Sequence, residues 1–125
     1  MRLNVEIKMK LMGHTGKICQ IGSNSKFLFS CSIDGSIRVW NILTDECVYI
    51  FKLPEAPACF DASEEFLFVG CNDKKVRVLD LATKAITKAF VASEGLIKTV
   101  YWYNNVLYVA GYDPVIRGWD IEVLI

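Results

Sequence analysis

Apolar and polar residues alternate along most of this chain in short runs broken by small polar residues, and no stretch sustains the three-to-four spacing of an amphipathic helix. A period of two marks a half-buried strand, because successive side chains point to opposite faces of a sheet. The pattern predicts strands over residues 17–23, 27–32 and 36–41, over 58–62, 65–71 and 75–81, and over 97–103, 106–110 and 115–121. Turn formers separate them, notably Asn24-Ser25, Asp34-Gly35, Asn104-Asn105 and Asp113-Pro114. Pro54 and Pro57 fall where a strand begins, the place where a missing amide donor costs least. Ile7, Met9 and Leu11 alternate with Lys8 and Lys10, which predicts an additional outer strand over residues 6–12; the runs at 47–51 and 86–90 match it.

These groups are copies of one another. Phe27-Leu28-Phe29 aligns with Phe66-Leu67-Phe68 and with Val106-Leu107-Tyr108, and Asp34, Asp73 and Asp113 stand at one fixed distance before Trp40, Leu79 and Trp119. Each unit reads as an outer strand followed by three inner ones, with repeat 1 over about residues 7–46, repeat 2 over about 47–85 and repeat 3 over about 86–125 of a single repeat domain. A near-constant period of this length is the mark of a repeat architecture.

The first copy opens on Gly13-His14 and closes on Trp40-Asn41, the second closes on Leu79-Asp80 and the third on Trp119-Asp120. On these residues the chain resembles the WD40 repeat family, whose units carry a Gly-His near the start and a Trp-Asp near the end. The resemblance implies an all-β fold of three WD40-type four-stranded blades, outer strand first. This is a partial β-propeller, too few blades to close a ring, since propellers close with about four to eight. It also implies a buried structural tetrad of His14, Ser32, Asp34 and Trp40, in which the imidazole donates from one nitrogen and accepts on the other. The matching positions are Leu53, Cys71, Asp73 and Leu79 in the second copy and Ser93, Gly111, Asp113 and Trp119 in the third. Those two blades are therefore expected to hold their turns by apolar packing and the aspartate alone. In the family the narrow face carries most partner contacts, from the loop entering the first inner strand and the turn holding the aspartate. The positions this implies are Lys17, Cys19 and Ile33, then Ala56, Ala58 and Asn72, then Leu96, Lys98 and Tyr112.

Composition narrows the function. Fourteen basic residues balance fourteen acidic ones and form no basic run, so nucleic acid is disfavoured as a partner. No apolar run approaches the roughly 18 residues of a membrane span, and residues 1–6 lack the apolar core of a secretion signal. No membrane association is expected, and the expected location is intracellular, cytoplasmic or nuclear. The five cysteines form no C-x-x-C pair and sit inside apolar runs, so they read as buried thiols rather than zinc ligands; no metal or other cofactor is expected.

Two constellations compete with a scaffold. His14, Ser32 and Asp34 are the raw material of a hydrolase triad, but the tetrad implied by the resemblance accounts for all three, and no enzyme is expected. Arg38, Arg77 and Arg117 recur two residues before the tryptophan position. They are expected on exposed strand faces with their stems along the sheet; with the tyrosines they would instead make an RNA-associated module. In Tyr101-Trp102-Tyr103 alternation puts Trp102 on the face opposite the tyrosines, and Tyr112, just before a turn, is expected to be exposed. The expected protein is a non-catalytic scaffold or adaptor that binds protein or peptide partners in a multi-subunit complex. Its bare end blades call for a homo-oligomer, a complementary propeller subunit, or the remainder of a longer propeller.

Overall fold

The computed structural model describes residues 2–122. Its strands are β1 (Ile18–Ser23), β2 (Leu28–Ser32), β3 (Ser36–Asn41), β4 (Glu46–Lys52), β5 (Pro57–Ala62), β6 (Phe66–Cys71), β7 (Lys75–Asp80), β8 (Ile86–Val91), β9 (Ile97–Tyr103), β10 (Val106–Gly111) and β11 (Arg117–Asp120). There is no helix among the described residues. The strands form three antiparallel meanders, β1-β2-β3-β4, β5-β6-β7-β8 and β9-β10-β11. The hairpin between β9 and β10 turns on Asn104 and Asn105 at φ 51° and 65°, the two left-handed positions that a two-residue turn needs to match strand twist.

The sequence repeat and the sheet are offset by one strand. β4, which opens the second sequence copy, pairs with β3 through Val39 and Tyr49, and β8 pairs with β7 through Val78 and Lys88. Each outer strand thus completes the sheet of the copy before it. The alternating segment 6–12 is not a strand. Apart from the half-buried Leu11 it is exposed, with Ile7 at 77%, and it joins no ladder among the described residues; alternation supplies a face, but a strand also needs an edge to pair with. Among the described residues the third sheet correspondingly has three strands.

The sheets stack face to face. Phe29, Ile37 and Val39 of the first meet Phe60, Leu67, Val69 and Leu79 of the second. Phe68, Val76 and Val78, on the other face of that second sheet, meet Ile97, Val100, Leu107 and Val109 of the third. β6 is buried on both sides, which is why its sequence FLFVGC is a continuous apolar run rather than an alternating one. Close approach requires a glycine at Gly22, where an added Cβ would stand 2.9 Å from the Phe60 ring. Polar clips register the sheets: the Gln20 amide donates to the Phe60 carbonyl at 2.7 Å and accepts from its N–H at 3.1 Å, and the Asp61 carboxylate accepts from the Trp102 N–H at 2.7 Å.

The thiols of Cys31, Cys59 and Cys71 are buried, and burial pushes those of Cys31 and Cys59 up to about 12. Cys47 is half-buried. Cys19 departs from the expectation of a buried thiol and is exposed, for a reason that belongs to the site below.

Candidate partner-binding site

The first copy builds a closed hydrogen-bond network around its histidine. His14 Nδ1 lies 2.9 Å from Asp34 Oδ2, and Nε2 lies 2.6 Å from Ser30 Oγ, which also accepts from Trp40 Nε1 at 2.9 Å. Donor logic fixes the tautomer: the carboxylate accepts from Nδ1–H, and Nε2 accepts from the serine hydroxyl. The hydroxyl member of the tetrad is therefore Ser30 and not Ser32. Ser32 lies two residues further along the same strand face, at the turn, where its Oγ accepts from the Asp34 N–H at 3.1 Å. Asp34 also accepts from the Ser36 hydroxyl at 2.6 Å and from the Thr15 N–H at 3.1 Å. Burial alone would raise its carboxyl, but the Ser36 hydroxyl, His14 and the Thr15 and Ser36 N–H groups outweigh it and hold it well below the usual carboxylate range. Ser30 is 4% exposed and Ser32 is closed to solvent, so neither hydroxyl faces solvent.

The later copies hold their turn aspartates differently. Arg77 grips Asp73 bidentately, Nη1 to Oδ1 at 3.0 Å and Nη2 to Oδ2 at 2.7 Å, and Arg117 reaches Asp113 at 2.7 Å. This corrects two expectations: the turns do not rely on the aspartate alone, and Arg77 is buried, not exposed, at 6%. The cause is the missing histidine, since the guanidinium from the neighbouring strand takes the carboxylate that an imidazole would otherwise fill. The ion pair lowers the Asp73 and Asp113 carboxyls and raises the Arg77 guanidinium. In the first copy Asp34 is already taken, and Arg38 instead donates to the Gly13 carbonyl at 3.0 Å, 5.9 Å from the Trp40 ring centroid. That contact demands a glycine: Gly13 has φ 147°, and a Cβ there would stand 2.5 Å from Arg38 Nη1. With Val109 in place of a hydroxyl, the Trp119 indole donates to the Ala92 carbonyl at 3.1 Å.

At the same end of the sheets, the nine positions nominated for partner contact fall into three equivalent sets. In each, the N–H of the residue before the turn aspartate donates to a carbonyl of the incoming loop: Ile33 to Lys17 at 3.0 Å, Asn72 to Ala56 at 2.9 Å and Tyr112 to Leu96 at 3.0 Å. In each, the ladder also skips one residue of the innermost strand. Ile18 pairs with Ser32 and Gln20 with Cys31, Pro57 with Cys71 and Cys59 with Gly70, Ile97 with Gly111 and Thr99 with Ala110. The skipped residues are Cys19, Ala58 and Lys98. A bulge leaves its extra residue unpaired and re-aims its side chain, which explains the exposure of Cys19.

Six of the nine, Lys17, Cys19, Ile33, Ala58, Asn72 and Lys98, line one cavity of about 300 Å³ together with Pro57, so all three copies contribute to it. Ala56, Leu96 and Tyr112 do not line it, although the Lys98 ammonium sits 5.3 Å from the Tyr112 ring centroid. Pro57, read from the sequence as a residue that opens a strand and not as a contact position, lines the cavity as well. Tyr112 is 67% exposed and Tyr101 and Tyr103 are 60% exposed, while Trp102 stacks on Phe68 at 4.3 Å on the opposite face. Among the described residues no three His, Cys, Asp or Glu side chains gather to hold a metal ion, and no helix is long and apolar enough to cross a membrane.

Known proteins resemble this chain. The profile of the family described as WD domain, G-beta repeat matches residues 6–41. The chain is 31% identical over 99 residues to the WD repeat-containing protein ATCSA-1 of Arabidopsis thaliana, covering 73% of this chain and 22% of that one. It is 29% identical over 110 residues to the mRNA export factor rae-1 of Caenorhabditis elegans, covering 79% of this chain and 29% of that one. The chain thus spans well under half the length of either relative. Its fold superposes on the WD40 domain of Toxoplasma gondii coronin with a TM-score of 0.77 at 18% identity, over 88% of this chain and 32% of that one. The repeat period, the stacked meanders, the Gly-His to Trp network and these likenesses agree, and the chain belongs to the WD40 repeat family of β-propellers.

Proposed function

We propose that this chain is a non-catalytic scaffold that binds protein or peptide partners within a multi-subunit complex, using the cavity and rim formed by its three loop, bulge and turn sets. The observation that carries this is convergence: one side chain from each of three equivalent bulges is aimed at one end of the sheets, where the ladders need none of them. A relative named as an mRNA export factor supports an intracellular, cytoplasmic or nuclear setting. A hydrolase is disfavoured because the serine hydroxyls beside His14 are buried. An RNA-associated module built on the arginines is disfavoured because Arg77 and Arg117 are engaged with aspartates.

The scaffold also needs its ends covered. Ile18 and Ile21 are 47% and 64% exposed, whereas their counterparts Phe60, Ile97 and Val100 are buried against a preceding sheet. At the other end Tyr108 and Ile116 are 39% and 73% exposed, whereas Phe29, Ile37, Phe68 and Val76 are buried against a following one. A second copy, a complementary subunit or further blades of a longer propeller would supply the missing neighbours. The test is co-purification of a defined partner from cells. Lys17→Glu with Lys98→Glu should release it while the thermal melt stays unchanged, and undiminished capture would move the site elsewhere. Light scattering of the isolated chain tests self-closure, which a monomer at all concentrations would refute.

A further inference from the structure

The chemistry of the cavity narrows the partner. Its lining includes two ammonium groups, Lys17 and Lys98, one carboxamide, Asn72, and no carboxylate. The nearby turn aspartates are each engaged: Asp34 with His14, Asp73 with Arg77 and Asp113 with Arg117. Neither cavity lysine has an ion-pair partner among the described residues. Because the chain as a whole carries no net charge, the positive lining is a local arrangement. It comes from two different copies, Lys17 on the incoming loop of the first and Lys98 on the bulge of the third. The Lys98 ammonium is held over the Tyr112 ring, which favours a cation without neutralising it. Exposed apolar side chains adjoin the charges: Ile33 at 57%, Leu96 at 40% and Tyr112 at 67%.

We propose that the cavity is a receptor for an acidic peptide, in which one aspartate or glutamate side chain enters between Lys17 and Lys98, hydrogen-bonds the Asn72 amide, and is flanked by apolar residues that lie on Ile33 and Tyr112. The volume of about 300 Å³ suits one side chain and its backbone rather than a folded surface. The apolar rim favours a peptide over a nucleic-acid backbone, which presents phosphates in series and would need a track of cations rather than one pair. The inference rests on the partner-binding reading of these positions and adds the class of ligand.

The experiment presents the immobilised full chain with a degenerate heptapeptide pool fixed at glutamate in the centre, beside matched pools fixed at glutamine and at lysine and a poly-uridine RNA. Glutamate peptides should be retained about tenfold better than glutamine peptides, the ratio expected of two partly exposed ammonium contacts. Raising the salt should erode that ratio as the screening length shortens. The exposed double replacement Lys17→Gln/Lys98→Gln should abolish the preference without changing the melting curve. Retention without charge preference that is lost on Ile33→Asp or Tyr112→Ala would overturn the acidic ligand and leave the site standing. Retention unchanged by all of these replacements would overturn both. Lysine-dependent retention of RNA in place of the peptides would overturn the proposal in favour of nucleic acid.

Discussion

Replacing Ser30 by alanine is the sharpest probe of the network in the first copy. The Ser30 hydroxyl is shared by two groups, His14 Nε2 at 2.6 Å and Trp40 Nε1 at 2.9 Å, and Trp40 is itself 3% exposed. Removing it orphans a buried acceptor and a buried donor that water cannot reach. At about 1–3 kcal/mol for each unsatisfied group, less the recovered cost of burying the hydroxyl, the loss should be about 2–4 kcal/mol. Ser32→Ala removes a single bond, from the Asp34 N–H at 3.1 Å, and should lose about 1 kcal/mol. Urea denaturation followed by far-UV circular dichroism at unchanged m-value measures both. The double replacement Ser30→Val/Trp40→Leu imitates the second copy, where Val69 and Leu79 pack without a polar group. It should cost at least about 1 kcal/mol less than the sum of its parts, because donor and acceptor leave together. If Ser30→Ala were neutral and Ser32→Ala severe, the geometry assigned to the network would be wrong.

Acid should weaken the fold. Asp34, Asp73 and Asp113 all titrate below their ordinary value of 3.8 when folded, so their stabilisation is complete above that value and is lost as pH falls through the lower folded values; a pH series of urea midpoints checks this, and Asp34→Asn should flatten it. Arg77→Ala should destabilise more than Arg117→Ala, because Arg77 is the more deeply buried guanidinium and makes two bonds to its aspartate where Arg117 makes one, and thermal melts rank the two. Under native conditions Cys19 should react with a thiol reagent first, with Cys31, Cys59 and Cys71 protected until unfolding, as mass spectrometry of the labelled chain would show. Lys74→Gly should stabilise by up to about 1 kcal/mol, since Lys74 holds φ 66° at the position where the first turn uses Gly35 at φ 89°.

What the sequence made legible follows from what alternation and turns can report. Strand positions emerged within a residue or two because the period-two faces and the Asp-Gly and Asn-Asn turns bracket them from both sides. The choice between Ser30 and Ser32 was beyond the same logic: residues two apart share a face, and only the reach of an imidazole anchored at position 14 separates them. The Arg77 and Arg117 pairs were missed for a related reason. Each arginine lies four residues past its aspartate across a turn, and whether it bends back depends on a vacancy left by a histidine absent from a different loop. The segment 6–12 has the right face for a strand, yet pairing is a property of two chains' edges and cannot be read from one. Cys19 looked like core because its neighbours are apolar, and only the skipped rung of the ladder turns it outward.

Those skipped rungs separate two kinds of selection on the same strands. Residues in the ladder must satisfy the stacking of one sheet on the next, and the positions one before and two after the skipped residue stay apolar in every copy: Ile18 and Ile21, Pro57 and Phe60, Ile97 and Val100. The off-ladder residue answers to neither neighbour, and there the copies carry a thiol, a methyl group and an ammonium. The chain can therefore rewrite what it displays at that mouth one letter at a time, at little risk to the architecture that holds the letters in place. An engineer seeking a new specificity would begin at Cys19, Ala58 and Lys98 and leave their neighbours alone.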